Sequence, residues 1–179
     1  MNDIQFCTSS GVGMYHLNGE VYERLLEEVD LAFQVSLPNR KELKPKVRKL
    51  VGSAYDLFEK GEWRQGFLEA AQALEEESRK YLRRRVNNGK NQYKDGRKTK
   101  SVTLSEVNKM TLGGVKNVVC NLVIQTTLDS RLCAGITKLN PTRIARVHKP
   151  TSRATERRMR DRVGRDMWMI VNLLREMIT

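Results

Sequence analysis

From Glu42 to Val86 the apolar residues recur at three- and four-residue steps, and that period confines this part of the chain to helices. Leu43, Val47, Leu50, Val51, Ala54, Leu57 and Phe58 form one stripe, closed by Gly61 as a C-terminal glycine. Phe67, Ala70, Ala71, Leu74, Tyr81 and Leu82 form the next. The Ala70–Ala71 pair leaves room for a neighbouring helix to come close. The spacing predicts helices over 42–60 and 62–86.

The same period extends the reading in both directions. Residues 1–19 contain Gly11 and Gly13, with no strand pattern before them and no third glycine in register, so a flexible arm is expected there. His16 falls in this arm. Residues 20–36 carry Tyr22, Leu25, Leu26, Val29, Ala32 and Phe33 on one helical face, and Leu37-Pro38-Asn39 ends it. Arg83-Arg84-Arg85 places cations at the negative end of the 62–86 helix, as a solvated cap or a phosphate-contacting patch.

Residues 87–101 are polar, basic and almost free of aliphatics, and read as a mobile loop. Tyr93 among Lys90, Lys94, Arg97, Lys98 and Lys100 suits base stacking with phosphate contacts, or an ordinary solvated insertion. Thr103–Leu112 is expected to be helical, with Leu104, Val107 and Met110 inward and Gly113-Gly114 as an interruption. The valines of 115–126 suit a strand, yet no partner strand is evident, so helix is preferred. Leu128, Leu132, Cys133, Ile136 and Leu139 continue as a helical stripe.

Asn140-Pro141 has the form of a helix start, and predicts a short helix over 142–149. Pro150 disfavours helix at Lys149. Thr151 or Ser152 can cap a last helix with Met159, Val163, Met167, Ile170, Leu174 and Ile178 inward. The arginines at 157, 158, 162 and 165 point away from that stripe, and Met167 and Trp168 read as packing residues. The fold expected is all-α, a single-domain helical bundle over 20–179 with a basic loop at 87–101.

Charge narrows the partners. A net charge of +12 favours a polyanion, either nucleic acid or an anionic surface, with an acidic protein as the plainer alternative. Cys7, Cys120 and Cys133 are odd in number and form no CxxC pair. With two isolated histidines they make no zinc ligand set, and reduced thiols in a cytoplasmic setting are expected. No signal peptide, membrane span, metal or cofactor is expected. His148 is the one plausible group whose ordinary pKa, about 6.5, suits proton transfer near neutrality. At a helix end a protonated imidazole could equally serve the dipole alone.

Two segments resemble the HEPN superfamily of small helical domains. One is LFEKGEWRQGFLEAAQALEEESRKYLRRR, residues 57–85; the other is LCAGITKLNPTRIARVHKP, residues 132–150, which leads into the last amphipathic stretch. The second is similar to the family's Arg–x(4–6)–His element, here Arg143 and His148. The resemblance implies metal-independent endoribonuclease activity at a composite site shared by a homodimer, in a toxin or defence effector, with an antitoxin or regulatory protein as a further partner. His148 would move the proton and Arg143 would stabilise the phosphorane charge. Arg146, Lys149, Arg153 and Arg157 would contact RNA phosphates. Catalytic members commonly carry Asn or Asp directly after the arginine, whereas this chain has Ile144. That departure keeps open a non-catalytic helical module binding nucleic acid or a protein.

Overall fold

A computed structural model describes residues 37–147 and 153–178, together with strands at 2–8 and 11–17; side chains are described for 37–139 and 162–178. The chain divides into two units, Met1–Val35 and Ser36–Thr179. In the first, β1 (Asn2–Thr8) pairs antiparallel with β2 (Gly11–Leu17), so the stretch expected as an arm holds a two-stranded ladder. The helix expected over 20–36 lies outside the described residues.

The second unit is mostly helical, in keeping with the all-α class. A 3-10 turn at Arg40–Glu42, capped by Asn39, leads into α1 (Pro45–Glu59), which has Pro45 in its first turn. Gly61 at φ 76° reverses the chain into α2 (Trp63–Asn87). Val47, Val51 and Ala54 are buried as the stripe requires. Tyr55, off that stripe, is buried too, and its hydroxyl donates to the Pro38 carbonyl at 2.6 Å. α2 is central: Phe67, Ala70, Leu74 and Leu82 are fully buried, and every other helix of the unit packs on it.

The basic stretch after α2 is a hairpin rather than a loop. β3 (Gln92–Asp95) pairs with β4 (Lys98–Ser101). Gly96 at φ 61° and no positive φ at Arg97 give the two-residue turn a II′ form, which matches strand twist. The Lys94 N–H donates to the Asn121 carbonyl at 2.8 Å and the Val123 N–H to Gln92 at 2.9 Å. This strip at 121–123 supplied the pairing partner that the sequence did not reveal, and it explains why 115–126 is helical only in its first half.

α3 (Leu104–Lys109) carries a full capping box between Thr103 and Glu106. Leu104, expected inward, is 43% exposed, while Val107 is buried. The break expected at Gly113-Gly114 falls earlier. Thr111 caps α4 (Leu112–Cys120), which places both glycines in its first turn, and the Glu75 carboxylate accepts from the Leu112 N–H at 2.7 Å.

α5 (Thr127–Val147) and α6 (Arg153–Met177) complete the unit. α5 runs through Asn140 and Pro141, so that pair does not start a new helix. Pro141 removes one backbone donor, a cost that the rest of a long helix carries. Arg131 meets Glu176 at 2.9 Å, and a Cβ on Gly135 would meet Leu173, so α5 and α6 run antiparallel. Val163, Met167, Ile170 and Leu174 form the buried stripe of α6. Arg162 and Arg165 face solvent. Trp168, expected to pack, is 44% exposed, because the stripe turns past it at a single-residue step from Met167.

Candidate nucleic-acid interface

The candidate site residues singled out in the sequence lie between the last turns of α5 and the first turns of α6 in the chain. Arg143 and Arg146 lie in the last two turns of α5, Arg153 opens α6, and Arg157 follows about one turn later. Their side chains, and the whole of His148 and Lys149, lie outside the described residues. The backbone thus brings four arginines to one end of the antiparallel α5–α6 pair.

The β3–β4 hairpin presents a second basic surface. Lys94, Arg97, Lys98 and Lys100 are all exposed. Lys100 pairs with Asp95 across the hairpin, and Lys94 donates to Thr99 at 2.8 Å. Among the described residues, Lys90, Arg97 and Lys98 have no carboxylate within ion-pair distance. Tyr93 stands opposite Lys100 in the ladder and also bridges to Leu122, so it is half-buried at the hairpin's base. That position weakens it as a freely stacking ring.

The Arg83-Arg84-Arg85 triplet does not act as one unit: Arg83 is half-buried, Arg84 is exposed and Arg85 is buried. Arg83 Nε donates to Asn108 at 2.7 Å, and Arg84 donates to the Met177 carbonyl at 2.8 Å, covering the end of α6. Arg85 is buried against Asp129 at 3.4 Å and donates to the Ile124 carbonyl. Asp129 also accepts from the Tyr81 hydroxyl at 2.8 Å and from the N–H and hydroxyl of Thr126. The Asp129 N–H returns a bond to the Thr126 hydroxyl, so Asp129 closes a capping-box-like loop at the start of α5. Burial, then the hydrogen bonds and the Asp129 charge, shift the Tyr81 hydroxyl; its net pKa lies above the ordinary value. This buried network ties α2 to α5 and carries no free face for a ligand, although Arg85 Nε has no partner in it.

Two further features escaped the sequence. Cys120 and Cys133 form a disulfide with a Cα–Cα distance of 5.0 Å, which corrects the expectation of free thiols throughout. Counting cysteines could not find it, because Cys7 makes the number odd and the spacing matches no motif. At the opposite end of α5 from the arginine cluster, a cavity of about 560 Å³ is lined by Lys44, Thr127, Leu128, Arg131, Asn172 and Arg175. These residues come from three distant parts of the chain, so no local pattern announces them.

Comparisons with protein-family models, with curated proteins and with solved structures find no match for this chain. Among the described residues, no helix is long and apolar enough to cross a membrane.

Proposed function

We propose that this chain is a HEPN-type, metal-independent endoribonuclease acting as a homodimer. The observation that carries the reading is the position of the Arg–x4–His segment. Its first five residues, Arg143 to Val147, form the last turns of α5, with Arg146 among them, and Arg153 and Arg157 stand in the first turns of α6. A polyanionic strand lying on that end would meet several guanidinium groups, which bind phosphate through planar paired donors. Two such ends placed together across a dimer axis would double that field and supply a second His148. The 2′-hydroxyl would attack the adjacent phosphorus, with proton transfer through His148 and charge stabilisation by Arg143, leaving a cyclic phosphate and a 5′-hydroxyl. A toxin or defence role with an antitoxin or regulatory partner belongs to the same reading.

The test is incubation of pure protein with 5′-labelled mixed RNA in EDTA, with analysis of the fragment ends. Wild type should give cyclic-phosphate ends. His148→Ala should lose about 10²–10⁴ in rate while keeping its fold. Arg143→Ala should be similarly impaired, and Arg143→Lys should recover only part of the activity, because lysine lacks the planar fork. Equal cleavage by wild type and His148→Ala would refute the catalytic role. One residue favours a second reading: Ile144 stands where catalytic members carry a polar side chain. RNA binding without cleavage would then mark a non-catalytic helical module.

A further inference from the structure

The cavity at the far end of α5 has the chemistry of an anion site. Lys44, Arg131 and Arg175 all face it, against one carboxylate, Glu176. Glu176 is engaged by Arg131 at 2.9 Å. Among the described residues, neither Lys44 nor Arg175 has a carboxylate within ion-pair distance. The positive excess in the cavity is therefore held by Lys44 and Arg175.

The backbone adds to this field. Lys44 is the N-cap of α1, which has no side-chain cap and no acidic residue in its first turn. The positive pole of α1 is therefore uncompensated within its own first turn. α5 adds little to it, because the buried Asp129 carboxylate in its first turn already faces the positive pole of that helix. The opposing negative pole of α6 is partly covered, since Arg84 occupies the Met177 carbonyl. Asn172 and the Thr127 hydroxyl offer further neutral donors to the same space.

A second cavity, about 380 Å³, shares Lys44 and Arg175 with the first and is otherwise lined by Pro45, Lys46 and Ile178. The two make one cleft with a basic end and a largely apolar end. Charge alone would suit any anion. The apolar extension selects one with a body that prefers not to face water.

We infer that this cleft binds an organic phosphate, with the phosphoryl group held by Lys44 and Arg175 and the apolar face of a flat ring lying over Pro45 and Ile178; a nucleoside 5′-monophosphate, whose base has such faces, has this chemistry. The cleft is separate from the arginine cluster. From Leu128 to Arg143 the helix rises about 22 Å, given 1.5 Å per residue. The inference stands on the cleft and does not require cleavage of RNA.

The probe is adenosine 5′-monophosphate, measured by calorimetry at low salt on the full chain, beside inorganic phosphate and adenosine. Wild type should bind the nucleotide at least tenfold more tightly than either fragment. Lys44→Ala combined with Arg175→Ala should weaken it at least tenfold. Lys60→Ala combined with Lys138→Ala removes the same charge from exposed positions outside the cleft, and should leave the affinity within about twofold. Both substituted pairs are solvent-exposed, and a thermal melt checks that each variant folds. No nucleotide binding at millimolar concentration, equal weakening by both double variants, or adenosine binding as tightly as the nucleotide would each overturn the inference. His148→Ala should leave this affinity unchanged, which separates the cleft from the proposed catalytic end.

Discussion

Breaking the Cys120–Cys133 disulfide should lower stability without changing the fold. The bond closes a loop with a sequence separation of 13 residues, from the last residue of α4 to the second turn of α5. In the chain-entropy account, a loop of this length contributes about 3 kcal/mol by restricting the unfolded chain. For a domain of this size that corresponds to a fall of about 6–12 °C in melting temperature. The fold should survive, because the same segment is held independently. Lys94 and Val123 tie it to the hairpin, and Thr126, Asp129, Tyr81 and Arg85 tie it to α2. Urea denaturation of oxidised, reduced and Cys120→Ser/Cys133→Ser protein measures the difference. The bond itself is checked by tryptic digestion without reductant. Arg131 lies inside the loop, so the peptides Asn117–Arg131 and Leu132–Lys138 should appear linked and should separate on reduction. Equal midpoints for oxidised and reduced protein, or absence of the linked pair from oxidised protein, would refute the reasoning.

RNA affinity should fall steeply with salt, with a log–log slope of about −0.7 for each phosphate contacted on a single strand; filter binding across a salt series checks this, and a flat response would contradict an electrostatic interface. Light scattering at micromolar concentration should give the mass of a dimer, as the composite site requires, and a strict monomer would remove that requirement's support. Gly66→Ala should destabilise by about 1–3 kcal/mol of overpacking, less about 1 kcal/mol of helix propensity, because its Cβ would stand 2.8 Å from the Ala54 carbonyl oxygen, which belongs to the backbone of α1. Gly113→Ala meets nothing closer than 3.8 Å and should be neutral or stabilising; equal urea midpoints for the two variants would contradict this account.

The helices were legible where one face had to be dry over several turns. α1, α2 and the buried half of α6 follow the apolar period closely, because burial of Val47, Leu74 or Leu174 depends on helix geometry and little else. Their ends were legible where a residue was read for its local backbone role, as at Gly61, whereas α1 starts at Pro45 and not at Glu42 as expected. The same local reasoning failed at Asn140-Pro141. A helix start and a proline tolerated inside a long helix look alike in sequence, and only tertiary packing of α5 against α6 distinguishes them. The hairpin failed for a related reason. Its strands are almost wholly polar, so no apolar face marks them, and their pairing partner at 121–123 lies beyond two intervening helices.

The candidate sites divide along the same line. The arginines of the α5 end and the α6 start are legible because they are near one another in sequence and their backbones share one end of the helix pair. The cleft is not, because Lys44, Arg131 and Arg175 meet only when α1, α5 and α6 are assembled. The Arg83-Arg84-Arg85 run shows the converse case. Three adjacent cations suggest one phosphate surface, yet successive helical residues point about 100° apart. Arg83 therefore reaches Asn108, Arg84 reaches the end of α6, and Arg85 turns inward to Asp129. A charge run on a helix is thus divided among different neighbours. A basic site built from several elements draws on single charges scattered along the chain. For this protein, the excess positive charge predicts a polyanionic partner, while the assembled fold determines which cations are left to meet it.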